Sequence, residues 1–490
     1  MTASAPDAAA TAAEQAKAAR WRAFVAIAIS FVTMVFSMSM VFVALSAIAD
    51  DFGVTLRAVS WVVIVQSLVI SGLMMPMGRV ADMVGRRRVH LVGLVLFALG
   101  SLAVALAPTF ELMLAARAVM SVGNAMGQSV GTAMLVAVFP PEERGKALGS
   151  QTSVVAIGAA MGPIVGGFVL QVLPWEALFL MLVPPLAVAF FVGRRYLDER
   201  LVSGEPEGDR PRFDWGGAAL SSLAITVLVL TVSNPFALPW TSPPMVAAAA
   251  AMVALLALFV RWELRQRAPM LELRFFATRN FSMAVTARTL GFVGYTAVTF
   301  LMPIFLISVR GLGEGATGLV LFLASFGMGV AANQSGRASD RFGERPVFVV
   351  GFAVHLASMV GVALLGAGSP MWLVMALLFA SGVALGLWNV PNGSAILASA
   401  PAENLGVVGA FMNLTRNLGN VAGQAIASAI VVGVLAARGF DVPLSKIAET
   451  AGAGDAFLHG CRITYGVVAA LSAAALALAW VTRLDRPETA

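Results

Sequence analysis

Three arginines stand inside long apolar runs: Arg117, Arg288 and Arg416. A cation at that depth costs ~2.5–3.5 kcal/mol on insertion scales, so each needs a partner or a task. Short polar and aromatic side chains share such runs: Ser37 and Ser39, Asn124 and Gln128, Trp388 and Asn389. None of the 26 Asp and Glu residues falls near the middle of an apolar run. The chemistry open to this set is recognition: hydrogen bonding to a polar solute, and attraction of an anionic or zwitterionic group by unbalanced positive charge. Arg288 lies about 12 Å past Asn280 at the helical rise, so it can either snorkel to the near face or point into a cavity. Arg416 stands in Asn413-x-x-Arg416-x-x-Gly419 with Gly423 beyond, a small-residue pattern that favours a packing role.

A repeated stretch organises the elements that must position these residues. Gly78, Arg79, Asp82, Gly85, Arg86 and Arg87 fall between two apolar runs, reading as a short loop pinned at a membrane surface. Gly336, Arg337, Asp340, Gly343 and Arg345 restore glycine, arginine, aspartate, glycine and arginine, each 258 positions on. An internal repeat of that length describes two homologous helical bundles. The offset exceeds that of a six-span duplication alone, so two further spans lie between the halves.

The 490 residues are 59% hydrophobic and only 12% charged, with a mean hydropathy of +0.87. That excludes an ordinary soluble protein and predicts an all-α polytopic membrane protein of fourteen spans. The expected layout is an N-terminal tail over 1–20, a six-helix bundle over 21–195, linkers and two inserted helices over 196–279, a second six-helix bundle over 280–483, and a tail over 484–490. The run after Trp21 is too long for a signal-peptide core and reads as a retained first span. Lys and Arg cluster in alternate loops, which places both termini in the cytoplasm. The pI near 10.2 reflects those loops, which meet anionic lipid headgroups rather than nucleic acid. One cysteine, Cys461, excludes an intramolecular disulfide, and His90, His355 and His459 are too scattered to suggest a metal site. A membrane enzyme would need acids or histidines gathered at an interface; the largest outside segment, 437–459, holds only scattered Asp441, Glu449, Asp455 and His459. A sensor would add a soluble domain, and none is present.

Three motifs carry a resemblance. The repeated glycine–arginine–aspartate stretch is the first, Leu114-Ala115-Ala116-Arg117 the second, and Gly158-Ala159-Ala160-Met161-Gly162-Pro163-Ile164-Val165-Gly166-Gly167 the third. With Asp214-Trp215-x-Gly217, they make the chain resemble the major facilitator superfamily, specifically its fourteen-helix drug/proton antiporters of the multidrug efflux type. The resemblance covers about residues 21–483. It implies a major facilitator fold that works without a cofactor or metal, in the bacterial cell membrane, as a monomer. It implies export of a small-molecule substrate by alternating access, driven by the proton gradient. It assigns the repeated stretch to conformational gating and Arg117 to coupling. In this reading Gly158, Gly162, Gly166 and Gly167 form the exporter signature, with Pro163 bending the helix. Cavity walls are expected from spans one, four, nine and twelve, hence Ser37, Ser39, Arg117, Asn124, Gln128, Arg288, Thr289, Tyr295, Ser381, Trp388 and Asn389.

One family feature is missing. These antiporters carry an aspartate in the first span, where this chain has Ser37. An intramembrane carboxylate is the usual proton carrier and the usual partner of a cationic drug. Export of a specific anionic metabolite or lipid-like compound, with atypical or no proton coupling, is therefore the alternative to multidrug efflux.

Overall fold

The computed structural model describes residues 5–482, apart from 55, 141–142, 204–212, 235, 237, 239–240, 267–268, 270, 399–404, 441–446, 448–449 and 451. The charged linker around 204–208, the tail 484–490 and the acids Asp441 and Glu449 lie outside the described residues.

The described chain is helical, without strands. In chain order the long helices are α1 (Ala5–Phe52), α2 (Trp61–Val84), α3 (Arg86–Ala105), α4 (Phe110–Val138), α5 (Arg144–Val172), α6 (Glu176–Tyr196, loosened at residues 181–182), α7 (Trp215–Ser233), α8 (Pro243–Glu263), α9 (Arg279–Ile304, prolonged by a π-turn to Val309), α10 (Glu314–Phe342), α11 (Glu344–Ala363), α12 (Met371–Ala398), α13 (Leu405–Ala437) and α14 (Ala453–Val481). Thirteen are long and apolar enough to span a membrane. The fourteenth, α4, has the length, but Arg117, Ser121, Asn124, Gln128, Ser129 and Thr132 dilute its apolar character. All six are buried, so protein rather than lipid satisfies them.

One expected boundary shifts. Residues 5–20, read as the N-terminal tail, form a helix continuous with α1, because an Ala-rich sequence propagates a helix already nucleated by the span. The repeated stretch was expected as a loop, yet Gly78, Arg79 and Asp82 lie in the last turns of α2, and Gly336 and Asp340 in those of α10. Only Gly85 (φ 114°) and Gly343 (φ 89°) break the helices, each in a positive-φ conformation that favours glycine.

Helices α1–α6 pack among themselves, as do α9–α14, and the two groups meet through α2 on α13, α4 on α13, α5 on α10 and α5 on α12. Close approach of α3 and α4 rests on a missing side chain: a Cβ at Gly123 would lie 2.5 Å from the Gly93 carbonyl oxygen and 2.9 Å from Phe97 Cα. Helix α7 packs on α2 and α13, one from each group, and α8 packs on α7. The Ser222 hydroxyl of α7 donates to the Gly72 carbonyl of α2 at 2.7 Å.

Candidate functional site

A cavity of about 280 Å3 lies between the two helix groups. Helices α1, α4, α5, α9, α10, α12 and α13 wall it. Of the residues singled out in the sequence, Ser39, Arg288, Tyr295 and Asn389 line it. Ser37, Arg117, Asn124, Gln128, Thr289, Ser381 and Trp388 do not.

Arg288 does not snorkel. Its side chain is buried, with Nη1 donating to Asn389 Oδ1 at 2.7 Å and Asn392 Oδ1 at 3.5 Å, and Nε to the Met412 carbonyl at 3.4 Å. Its guanidinium also lies 5.1 Å from the Phe292 ring centre, a cation–π contact. Burial of so many of its donors in fixed bonds is what makes the position tolerable.

Arg416 stands on the cavity wall too, where the sequence pattern favoured a packing role. The packing reading holds for its neighbours. A Cβ at Gly419 would lie 2.7 Å from Phe292 Cβ, and one at Gly423 would lie 2.5 Å from the Val293 carbonyl, so these glycines seat α13 on α9. Arg416, one turn before Gly419 on α13, donates from Nη2 to Gln128 Oε1 at 2.6 Å. Gln128 therefore acts from behind the wall, its amide also donating to Asn124 Oδ1 at 2.5 Å. The described lining residues include no Asp or Glu.

Arg117 lies elsewhere. It is buried and donates to Gln66 of α2 and to Met120 Sδ (3.2 Å), with its guanidinium 5.4 Å from the Phe179 ring centre. Trp388 is fully buried behind the cavity, stacked on Phe352 (centroids 5.0 Å) and edge-on to Phe292 (5.1 Å). A Cβ at Gly291 or at Gly351 would lie 2.6 Å from it, so two glycines make its slot. Trp388→Ala would empty that slot, and a loss of about 3–5 kcal/mol of stability is expected, read as a lower melting temperature of the solubilised protein. An unchanged melting temperature would show that the slot collapses without cost.

The gating and exporter motifs are the next features of the wall. The Asp82 carboxylate accepts from Arg86, the first residue of α3 (Nη2 3.0 Å, Nε 3.1 Å), and from the Val407 amide at 3.1 Å, at the first turn of α13 in the other helix group. A helix start presents unsatisfied N–H groups and the positive dipole end, which explains the attraction. Arg86 also donates to the Val202 carbonyl at 3.1 Å, and Arg87 donates to the Arg194 carbonyl at 2.7 Å. Arg79 is buried nearby. The repeat behaves alike: Asp340 lies against Gly145 at the first turn of α5, where a Cβ would meet its carboxylate. Arg345 donates to the Trp480 carbonyl at 2.8 Å. The two helix groups are thus joined on the side where the repeated stretches lie.

In α5, Gly158 and Gly162 pack directly on α1. A Cβ at Gly158 would lie 2.8 Å from the Val32 carbonyl, and one at Gly162 would reach the Ser39 hydroxyl and lie 2.7 Å from the Met40 nitrogen. Gly166 has only ordinary contact distances and Gly167 open space, so the small-residue face is tight for one turn rather than throughout. Helix α5 runs on through position 163. Gln151, Thr152, Asn417 and Asn420, which were not singled out, also line the cavity, as does Asn413 of the Arg416 pattern. Helices five and thirteen carry them, and a polar face on each was the signal available.

A family model described as the Major Facilitator Superfamily matches residues 25–424. The chain is 28% identical over 409 residues to the riboflavin transporter RibZ of Clostridioides difficile, covering 84% of this chain and 88% of that protein. It is 29% identical over 398 residues to the multidrug resistance protein Stp of Mycobacterium tuberculosis, covering 81% and 73%. Among solved structures, the proton:xylose symporter XylE bound to 6-bromo-6-deoxy-D-glucose superposes with a TM-score of 0.67 over 95% of this chain and 96% of that one, at 12% identity, a likeness of fold. A central cavity between two repeated helix groups, and a family model spanning most of the sequence, lead to one conclusion: the chain belongs to the Major Facilitator Superfamily and is a multi-pass membrane transporter.

Proposed function

We propose that this protein is a secondary active exporter of amphiphilic small molecules, working as a monomer in the bacterial cytoplasmic membrane by alternating access. The observation that carries the reading is the cavity wall. Phe31, Phe292 and Tyr295 supply aromatic surface, Met38, Met328 and Met412 adaptable apolar surface, and a set of amides fixed polar contacts. Such a mixture suits ligands with an apolar body and a polar head. The positive-inside rule puts the repeated stretches in the cytoplasm, so the side joined by Asp82 and Asp340 is the cytoplasmic one. A carrier sealed there stands ready to release outward. The tight α1–α5 crossing at Gly158 and Gly162 agrees with the exporter signature, and Stp lends support through its name as a multidrug resistance protein.

The proton gradient is the proposed driving force. Uptake of tetraphenylphosphonium and of an amphiphilic anion into everted vesicles, each with and without a protonophore, tests both parts. Uptake that collapses with the protonophore supports proton-driven export. Uptake untouched by it removes the proton from the proposal, and no uptake of either probe above empty vesicles removes export.

A further inference from the structure

We infer that the cavity recognises its substrate by a single anionic group held between Arg288 and Arg416, displacing neutral acceptors that tie both arginines to the N-terminal helices. The inference rests on the cavity being the substrate site, as proposed above. Arg288 and Arg416 reach the same cavity from α9 and α13. The acceptors that hold them are uncharged: Asn389, Asn392 and the Met412 carbonyl for Arg288, Gln128 for Arg416. These acceptors satisfy the geometry of the guanidinium groups while leaving two like charges uncompensated in a cavity with low-dielectric walls. A carboxylate, sulfonate or phosphate group bridging them relieves that repulsion. Its bonds to the guanidinium groups join two ionised partners, where the acceptors it replaces carry no charge. With the aromatic and methionine walls, this defines the substrate class as an amphiphilic anion.

The partners also cross between the helix groups. Gln128 belongs to α4, while Asn389, which holds Arg288, donates its own amide to Thr152 Oγ1 of α5 at 3.4 Å. Each arginine is therefore linked to the N-terminal group through one neutral side chain. An arriving anion competes directly with Gln128 for Arg416, and by drawing Arg288 away from Asn389 it loosens the second link. Gln128 thereby sets how much anion affinity the cavity retains, although it does not line the wall.

The test is equilibrium binding to the full chain in nanodiscs, using one aromatic body with three charges: 1-naphthaleneacetate, 1-naphthalenemethanol and 1-naphthylmethylammonium. The acetate is expected to bind about tenfold tighter than the alcohol. Arg288→Gln and Arg416→Gln are each expected to abolish that preference; should either fail to fold, Arg288→Lys, which keeps the charge, is expected to retain part of it. Gln128→Leu is expected to raise acetate affinity roughly threefold without moving that of the alcohol, since a competing acceptor has gone. A residue with only a structural role would lower both. Equal affinity for acetate and alcohol, preference for the ammonium, or no acetate binding would overturn the anion site. Weaker acetate binding in Gln128→Leu would overturn the displacement. Binding at equilibrium has no direction, so a failed vesicle assay would refute export and leave this inference standing.

Discussion

Replacing Asp82 with asparagine is expected to reduce transport by more than tenfold while the protein still inserts. The reason is the buried charge paired with it. The Asp82 and Arg86 side chains are 5% and 3% exposed, so the substitution takes the Asp82 carboxylate away from a buried guanidinium. Removing one partner of such a pair costs about 3–5 kcal/mol. The same carboxylate accepts the Val407 amide at the start of α13, an interaction with the helix dipole worth about 0.3–1 kcal/mol more. The Val407 contribution belongs to the state in which the helix groups are joined on this side, so that state is the one depopulated. Asp82→Asn combined with Arg86→Gln should restore part of the loss, because the Arg86 charge goes with its partner. A double-mutant cycle on transport rate and melting temperature checks this. Additive losses would show that the pair does not act as a unit.

Gly162→Val is the second large effect. At this crossing a side chain would meet the Ser39 hydroxyl, Ser39 Cβ at 2.5 Å and the Met40 nitrogen at 2.7 Å. The obstacle is partly backbone, which no rotamer change can clear. Helices α1 and α5 must part, and both are walls of the cavity. Overpacking of this kind costs about 1–3 kcal/mol or more, and transport is expected to fall to background because the cavity changes shape. Gly162→Ala should be milder, and Ser39→Gly in the same chain should return part of its activity by removing the nearest atoms. Gly167→Ala is the control: its Cβ would have nothing within 4 Å, and wild-type transport is expected. If Gly167→Ala were as damaging as Gly162→Val, the packing account of the motif would be wrong.

Residue by residue, legibility followed the kind of information each feature needs. The repeat at Gly78 and Gly336 could be read directly, because identity and spacing are properties of the chain alone. Arg288 and Asn389 could be picked out because polarity inside an apolar run is itself a signal. Whether Arg288 snorkels could not be read. That depends on Asn389 and Asn392 of α12 lying within reach, more than a hundred residues away. Arg117 and Arg288 looked alike in sequence and parted in the fold, one buried against Gln66 and Phe179, the other at the cavity. Arg416 looked like packing because its glycines are packing, and only the helix's rotation turns the arginine to the cavity.

The sequence by itself determined the class, the span number and the duplication, since a bilayer imposes one length and one polarity on every span. Only the tertiary structure decided which polar side chains meet. Each helix has one rotational setting, fixed by contacts such as Gly162 on Ser39 and Gly423 on Val293, and that setting chooses the face each helix turns to the cavity. The sequence alone counts three arginines and no acid well inside the spans. Packing brings Arg288 and Arg416 to one cavity, because only the crossing of α9, α12 and α13 carries their positions into the same space.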